Sequence, residues 1–204
     1  MFGVTDARAH EKISGMKALF PLVLSLLLAL PSLRAATDEV AVIETSQGEI
    51  VVEFWPEVAP KTVANFKKLA ASGFFNGTAF HRIIPGFMAQ GGDPLTKDPA
   101  QEARWGTGDP GYKIAAEFNG RKHERGCISM ARSQDPDSAG SQFFLMFGPA
   151  PFLDGKYTGF GKTISGEETL AKIEKTPVTA SASGEPSKPT RRVEIKSVKI
   201  VPRQ

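Results

Sequence analysis

Arg82 is the charged side chain whose setting asks for an explanation. It lies in the run Phe80-His81-Arg82-Ile83-Ile84-Pro85-Gly86-Phe87-Met88-Ala89-Gln90-Gly91-Gly92-Asp93, among apolar residues. A charge in such surroundings needs a partner or a task, because ionised side chains are rarely buried unpaired. Read alone, its commoner explanation is an arginine that faces water from a strand edge. Two later segments also mix polar and aromatic residues. One is Ser129-Met130-Ala131-Arg132, followed by Asp135-Pro136-Asp137-Ser138-Ala139-Gly140-Ser141-Gln142-Phe143-Phe144. The other runs Pro151-Phe152-Leu153-Asp154-Gly155-Lys156-Tyr157-Thr158-Gly159-Phe160-Gly161-Lys162. By residue type alone, their aromatics are ordinary core.

Several chemistries have no foothold. There is no Gly-x-Ser-x-Gly turn, no glycine-rich phosphate loop and no His-Glu-x-x-His pair. Past residue 35 the histidines are His81 and His123. His123 and Cys127 are four apart, a spacing a metal can use, but no third ligand is evident. A metal or redox protein is therefore the weakest alternative, and no cofactor is expected. Cys127 reads as a small core residue, and His81 as structural. With one cysteine, no internal disulfide can form, so packing alone must hold the fold.

The chain has 204 residues, 41% hydrophobic and 23% charged, the balance of a soluble globular protein. Fourteen Phe against two Trp and two Tyr point to a core built on phenylalanine. The net charge is +3, but no stripe of Lys and Arg forms, which argues against nucleic acid as a partner. Residues 18–30 are an apolar run behind Lys17, followed by Pro31, Ser32 and the small residues Ala35 and Ala36. A cationic start, a short apolar stretch and small residues at its end make a secretory signal. The run falls short of the roughly 20 residues that cross a bilayer. The chain is thus expected to divide into an N-terminal extension with signal peptide, 1–35, and one domain, 36–204. Cleavage is expected near Ala35, with export to a periplasm or the medium and no stable membrane insertion afterwards. Met16, directly before Lys17, would give a tidier signal start than Met1. Losing the extension leaves the remainder nearly neutral, so charge identifies no partner.

The rest of the pattern supplies the elements that must position Arg82. Val40–Thr45 and Ile50–Phe54 are β-branched runs around Ser46-Gln47-Gly48-Glu49, which predicts a hairpin. From Pro60, residues Val63, Phe66, Leu69 and Ala70 share one helical face. Pro60 suits the first turn, Gly73 suits the stop, and Ala59 is a poor N-cap. Residues 93–112, rich in Pro and Gly, read as a long loop. Residues 126–131, 141–147 and 157–163 read as strands, and 167–175 as a helix. Thr179–Thr190 reads as loop, and 193–200 alternates as a closing strand. Many short strands, two helices and no strand-helix-strand rhythm predict a mainly β barrel or sandwich. Regular first and last strands suggest that the ends of the sheet meet.

In order and spacing, three segments resemble the cyclophilin signature: Phe80–Asp93, Gly140–Phe144, and Leu153-Asp154-Gly155-Lys156 with Phe160-Gly161. Gly106–Tyr112 before Glu117-Phe118 also fits, so the resemblance spans roughly residues 40–201. It implies a closed antiparallel barrel of eight strands capped by two helices. It implies a peptidyl-prolyl cis-trans isomerase that acts on proline-containing polypeptides. Together with the signal segment, this gives the expectation of an enzyme that assists folding of exported proteins. A monomer is expected, although the sequence does not fix the oligomeric state. By the same resemblance Arg82 points at the prolyl segment and Gln90 anchors near a substrate carbonyl. Phe87, Met88, Phe144 and Leu153 form the cup for the proline ring. Ala131 and Arg132 contact the residue before proline, partly through backbone, and Gln142 supports the arginine and the pocket wall. Three positions depart from many family members: Phe152 stands for Trp, Tyr157 for His and Arg132 for Asn. Phe152 and Tyr157 look like the bacterial branch, and the missing indole implies weak binding of cyclosporin. The alternative from another class is a proline-peptide binding module that uses the same cup without turnover. Retention of Arg82 argues for the enzyme, since holding a peptide hardly needs a charge aimed at the proline nitrogen.

Overall fold

A computed structural model describes residues 38–203. The expected signal peptide, 1–35, lies outside the described residues. No helix among the described residues is long and apolar enough to cross a membrane.

Two short-range devices start the fold. β1 (Glu39–Thr45) and β2 (Gly48–Phe54) form the expected hairpin, with Val42 opposite Val51 and Thr45 opposite Gly48. α1 (Pro60–Ala71) follows, with Pro60 in its first turn. Ala59 offers no side-chain cap. The cap comes instead from Glu117, whose carboxylate accepts from the backbone N–H of Lys61 at 3.0 Å and of Thr62 at 2.8 Å. An anion there also complements the positive end of the helix dipole. The helix stops at Gly73, whose φ of 69° is the left-handed conformation glycine adopts freely. Gly73 N–H donates to Ala70 and Phe74 N–H to Leu69, which closes the C-terminus as a Schellman motif.

The remaining strands are β3 (Thr78–Ala79), β4 (Arg82–Ile84), β5 (Met88–Gly91), β6 (Cys127–Met130), β7 (Phe143–Met146) and β8 (Gly159–Ser165). After α2 (Glu167–Glu174) come β9 (Val178–Ala180), β10 (Pro186–Pro189) and β11 (Glu194–Pro202). Nine strands form one antiparallel sheet in the order β3-β11-β1-β2-β8-β6-β7-β5-β4. First and last strands meet as expected, with β1 and β11 paired from Glu39–Pro202 to Thr45–Ile195.

The mainly β class stands, but the closed eight-stranded barrel is corrected. The sheet is open and curled, with nine strands, and no ladder joins its edges β3 and β4. The physical reason lies in Phe80 and His81. Phe80 N–H donates to Val193 O and His81 N–H to Gln90 O. The segment thus passes within two residues from Val193, just before β11, to β5, so that β3 pairs with β11 and β4 with β5 rather than with each other.

Two further expectations are corrected. The 93–112 loop contains 3-10 turns at Pro94–Lys97 and Pro99–Arg104. The Thr179–Thr190 segment is largely a hairpin, with Ala180 opposite Pro186 and Val178 opposite Pro189. Its strands are mostly exposed. It therefore lacks the apolar alternation by which a strand is recognised in sequence.

The core is phenylalanine-rich as expected. Phe66 on α1 packs its ring 4.9 Å from Phe75, 5.4 Å from Phe160 and 5.5 Å from Phe143. Each such side chain removes on the order of 150–250 Å² from water. Inside the curl, Ile83, Ala89, Leu145 and Ile128 form a cross-strand row, all fully buried. Because side chains alternate along a strand, their neighbours must face outward. That outward row carries the candidate site.

Candidate active site

Arg82 on β4 stands opposite Gln90 on β5, Gln90 opposite Phe144 on β7, and Phe144 opposite Ser129 on β6. Met88, two residues before Gln90, therefore shares that face. Three adjacent strands, β7, β5 and β4, thus bring residues 82, 88, 90 and 144 to one patch. The turn Pro151–Leu153 and the residues after it supply the far wall.

These residues line a cavity of about 250 Å³. Met88, Phe144 and Leu153 form a buried apolar floor in a cluster separate from the main core. Phe87 and Phe152 face each other across the rim, ring centroids 5.6 Å apart. Phe152 is 62% exposed, so this wall is open to solvent. Ala131, Arg132 and Tyr157 complete the lining. Ten of the eleven residues expected from the sequence meet here, and the eleventh, Gln142, touches Gln90.

The Phe144 ring is fixed from both sides. Tyr157 meets it edge-on at 5.9 Å, and His123 stacks on it at 6.2 Å. Behind it, His123 Nε2 lies 3.0 Å from Ser129 Oγ and Nδ1 lies 3.1 Å from Asp154 Oδ1. Burial pushes the His123 imidazole below its ordinary value, against the opposing pull of Asp154. A neutral ring facing a carboxylate donates from Nδ1, so Nε2 accepts the Ser129 hydroxyl proton. The His123 backbone N–H, followed by its ring, holds the Asp154 carboxyl at about 2. The connectivity is that of a hydrolase relay. Ser129 is wholly buried, however, so its hydroxyl meets no substrate and the chain acts as a buttress. Sequence reasoning missed it, since no motif links residues 123, 129 and 154. The His123–Cys127 pairing considered for a metal separates: His123 takes the partners above. Burial pushes the Cys127 thiol up to about 12, where it is inert.

Polar groups at the rim are equally constrained. Gln142 Nε2 donates to the carbonyls of Gly106 and Gly108 at 3.0 and 2.8 Å. Its Oε1 is therefore an acceptor, and it takes Gln90 Nε2 at 2.9 Å. Gln90 retains its second amide hydrogen and its oxygen for a ligand. The expectation that Gln142 supports the arginine is corrected: it holds Gln90 and the 106–108 loop. Asp93 holds the same loop from beneath, accepting from the N–H of Leu95, Gly106 and Gly108. Gly92 permits this turn at a φ of 81°, where a Cβ would lie 2.5 Å from the Ser141 carbonyl oxygen.

The Arg132 side chain is not a free contact either. It donates to the Lys156 carbonyl from Nε and Nη2, at 3.2 and 2.9 Å, and lies over the Tyr157 ring at 4.5 Å. It braces the wall of the cavity.

Arg82 is paired but not turned away. Nε and Nη2 donate to the two carboxylate oxygens of Glu185, at 2.7 and 2.8 Å. Nη1 is on the cup side, 3.9 Å from Met88 Sδ. The side chain is about a third exposed. Glu185, at the turn of the β9–β10 hairpin, was missed by sequence reasoning because its segment read as plain loop.

What this cavity offers is shape, apolar surface and preset donors, the equipment of an enzyme that acts by binding a strained form of its substrate. Its comparisons agree. The chain belongs to the cyclophilin type peptidyl-prolyl cis-trans isomerase family, whose family model matches residues 40–200. It is 46% identical over 145 residues to a probable peptidyl-prolyl cis-trans isomerase of Brucella abortus, covering 69% of this chain and 74% of that one. It is 49% identical over 122 residues to peptidyl-prolyl cis-trans isomerase B of Bacillus subtilis, covering 59% and 79%. A cyclophilin type isomerase of Cryptosporidium parvum, solved in the presence of the dipeptide Ala-Pro, superposes with a TM-score of 0.70 at 35% identity. It covers 79% of this chain and 98% of its own. The protein is a peptidyl-prolyl cis-trans isomerase.

Proposed function

We propose that the enzyme seats a proline ring on Met88, Phe144 and Leu153 and directs Arg82 Nη1 at the prolyl nitrogen. The observation that carries this is the position of Nη1, which meets only the weak acceptor Met88 Sδ on the cup side while Glu185 takes Nε and Nη2. An X–Pro bond resists rotation by roughly 18–20 kcal/mol because rotation breaks amide resonance. In the twisted amide the nitrogen regains its lone pair and accepts a hydrogen bond, which neither planar isomer can do. A donor placed there favours the transition state alone, and that difference is what accelerates turnover. No covalent bond changes, so no nucleophile or base is required. Gln90, fixed by Gln142, supplies an amide hydrogen for a substrate carbonyl. Backbone at Ala131 and Arg132 meets the residue before proline.

The substrates are proline-containing segments of polypeptides, supported by the Ala-Pro dipeptide present with the Cryptosporidium relative. The signal-like residues 18–30 support a role on exported proteins, after cleavage near Ala35. Exchange spectroscopy on a short Ala-Pro peptide tests the site, with line shifts followed at Phe144, Gln90 and Arg82. The seat is supported if the peptide shifts these resonances while its cis and trans signals exchange faster. Exchange without shifts at this patch overturns it. N-terminal sequencing of the protein recovered outside the cytoplasm tests export. A mature chain starting near Ala36 supports it, and an intact N-terminus confined to the cytoplasm overturns it.

A further inference from the structure

We infer that Glu185 is a positioning residue for the isomerisation, holding the Arg82 guanidinium so that Nη1 faces the cup. The inference rests on the reading of Arg82 given above.

The geometry is specific to one edge of the guanidinium. Glu185 accepts from Nε and Nη2 together, the side-on fork that fixes the plane of an arginine as well as its distance. Nη1, diagonally across, is the nitrogen left beside Met88. Had Glu185 gripped the two terminal nitrogens, Nη1 would be tied to the carboxylate and would no longer be left wholly to the cup side.

Glu185 is itself anchored. Ser181 N–H donates to the Glu185 carbonyl at 2.7 Å, and Gly184 N–H donates to Ser181 O at 2.9 Å. Gly184 has a φ of 84°, so the turn places a left-handed residue directly before the glutamate. The hairpin behind it is rooted by the buried Ser187. Arg82 holds the Glu185 carboxyl below its ordinary range, so the partner is an anion across the neutral region.

Stability alone does not explain the pair. Its side chains are 35% and 36% exposed, and ion pairs in such surroundings contribute little to folding. Orientation is the larger effect. A free arginine samples many rotamers, and freezing them during the reaction would raise the barrier. Held in advance, the donor needs no reorganisation when the amide twists. Glu185 does not line the cup; it borders the separate cavity on the other side of Arg82. Its removal should therefore reduce kcat and leave KM nearly unchanged. A carboxylate also drains positive charge from the guanidinium, which would act in the opposite direction, so the sign of the effect is diagnostic.

The test compares Glu185→Ala and Glu185→Gln with the wild type on a proline tetrapeptide, in wild-type and Arg82→Ala backgrounds. We expect Glu185→Ala to lower kcat about 5- to 30-fold, the range set by arginine rotamer freedom. Glu185→Gln, which keeps one acceptor, should fall less. KM and melting temperature should stay near wild type. In the Arg82→Ala background, Glu185→Ala should add nothing. The Arg82 Nε–H resonance should be sharp and shifted in the wild type and lose that signature in Glu185→Ala. Unchanged or higher kcat in Glu185→Ala, with Arg82→Ala still impaired, overturns the inference and leaves the Arg82 assignment intact. If Arg82→Ala itself retains full turnover, the assignment fails along with the inference.

Discussion

Arg82 and Gln90 face each other across the β4–β5 ladder, and each is held by a residue distant in sequence. Glu185 grips one and Gln142 the other. The ladder sets the spacing of the two groups, and the outer partners set their direction.

Gln142→Ala should release Gln90 and the 106–108 loop together. Losing hydrogen bonds of this kind costs about 1 kcal/mol each. We expect kcat/KM to fall about 10-fold on a proline tetrapeptide, with a modest drop in the urea midpoint. Unchanged kcat/KM would show that Gln90 needs no support.

Stability should decline with acid. Burial holds His81 down to about 4, and it also lowers His123. Both lie below the unfolded value near 6.5. The unfolded chain therefore takes up protons that the folded one refuses, and stability falls as pH drops. The contribution is complete above about pH 6.5 and is lost progressively towards pH 4, on the order of 3 kcal/mol for His81. Urea unfolding at pH 7, 5.5 and 4.5 should show this decline, and His81→Asn should flatten it. A midpoint that is constant over this range contradicts the neutral assignment.

Glu117→Ala removes the distant cap of α1. The expected cost is about 1–2 kcal/mol of unfolding free energy, the range for a lost N-cap. Because Glu117 lies outside the cup, kcat should be unaffected. A melting temperature equal to wild type would mean that water replaces the carboxylate at no cost.

Phe152→Trp places an indole N–H on the exposed rim. One added hydrogen bond contributes about 1 kcal/mol, roughly a 5-fold gain in affinity. Cyclosporin inhibition should tighten by that factor while kcat/KM moves less. Equal changes in both would show that the indole serves substrate and inhibitor alike.

Much of this structure is local enough to be read from residues 38–203 directly. The hairpin at Gly48, the Pro60 start and Gly73 stop of α1, and the alternation of 194–200 depend on neighbours in sequence. The cup was legible through its resemblance to a family, because its residues sit in contiguous motifs. What escaped is non-local or unpatterned. Glu117 caps a helix 55 residues away, and Glu185 reaches Arg82 across 103. The β9–β10 hairpin buries too little to leave an apolar rhythm. The count and openness of the sheet depend on where Phe80 and His81 send two N–H groups, and side-chain pattern does not record that.

Arg82→Ala, assayed for kcat/KM with a protease-coupled proline tetrapeptide, addresses the account most directly. Removing one preorganised donor should lower kcat/KM by about 10²- to 10³-fold, with the fold intact by circular dichroism. Arg82→Lys should recover only part of it, since an ammonium cannot use the Glu185 fork and the cup at once. Turnover equal to wild type in Arg82→Ala would contradict the claim that this guanidinium drives the rotation.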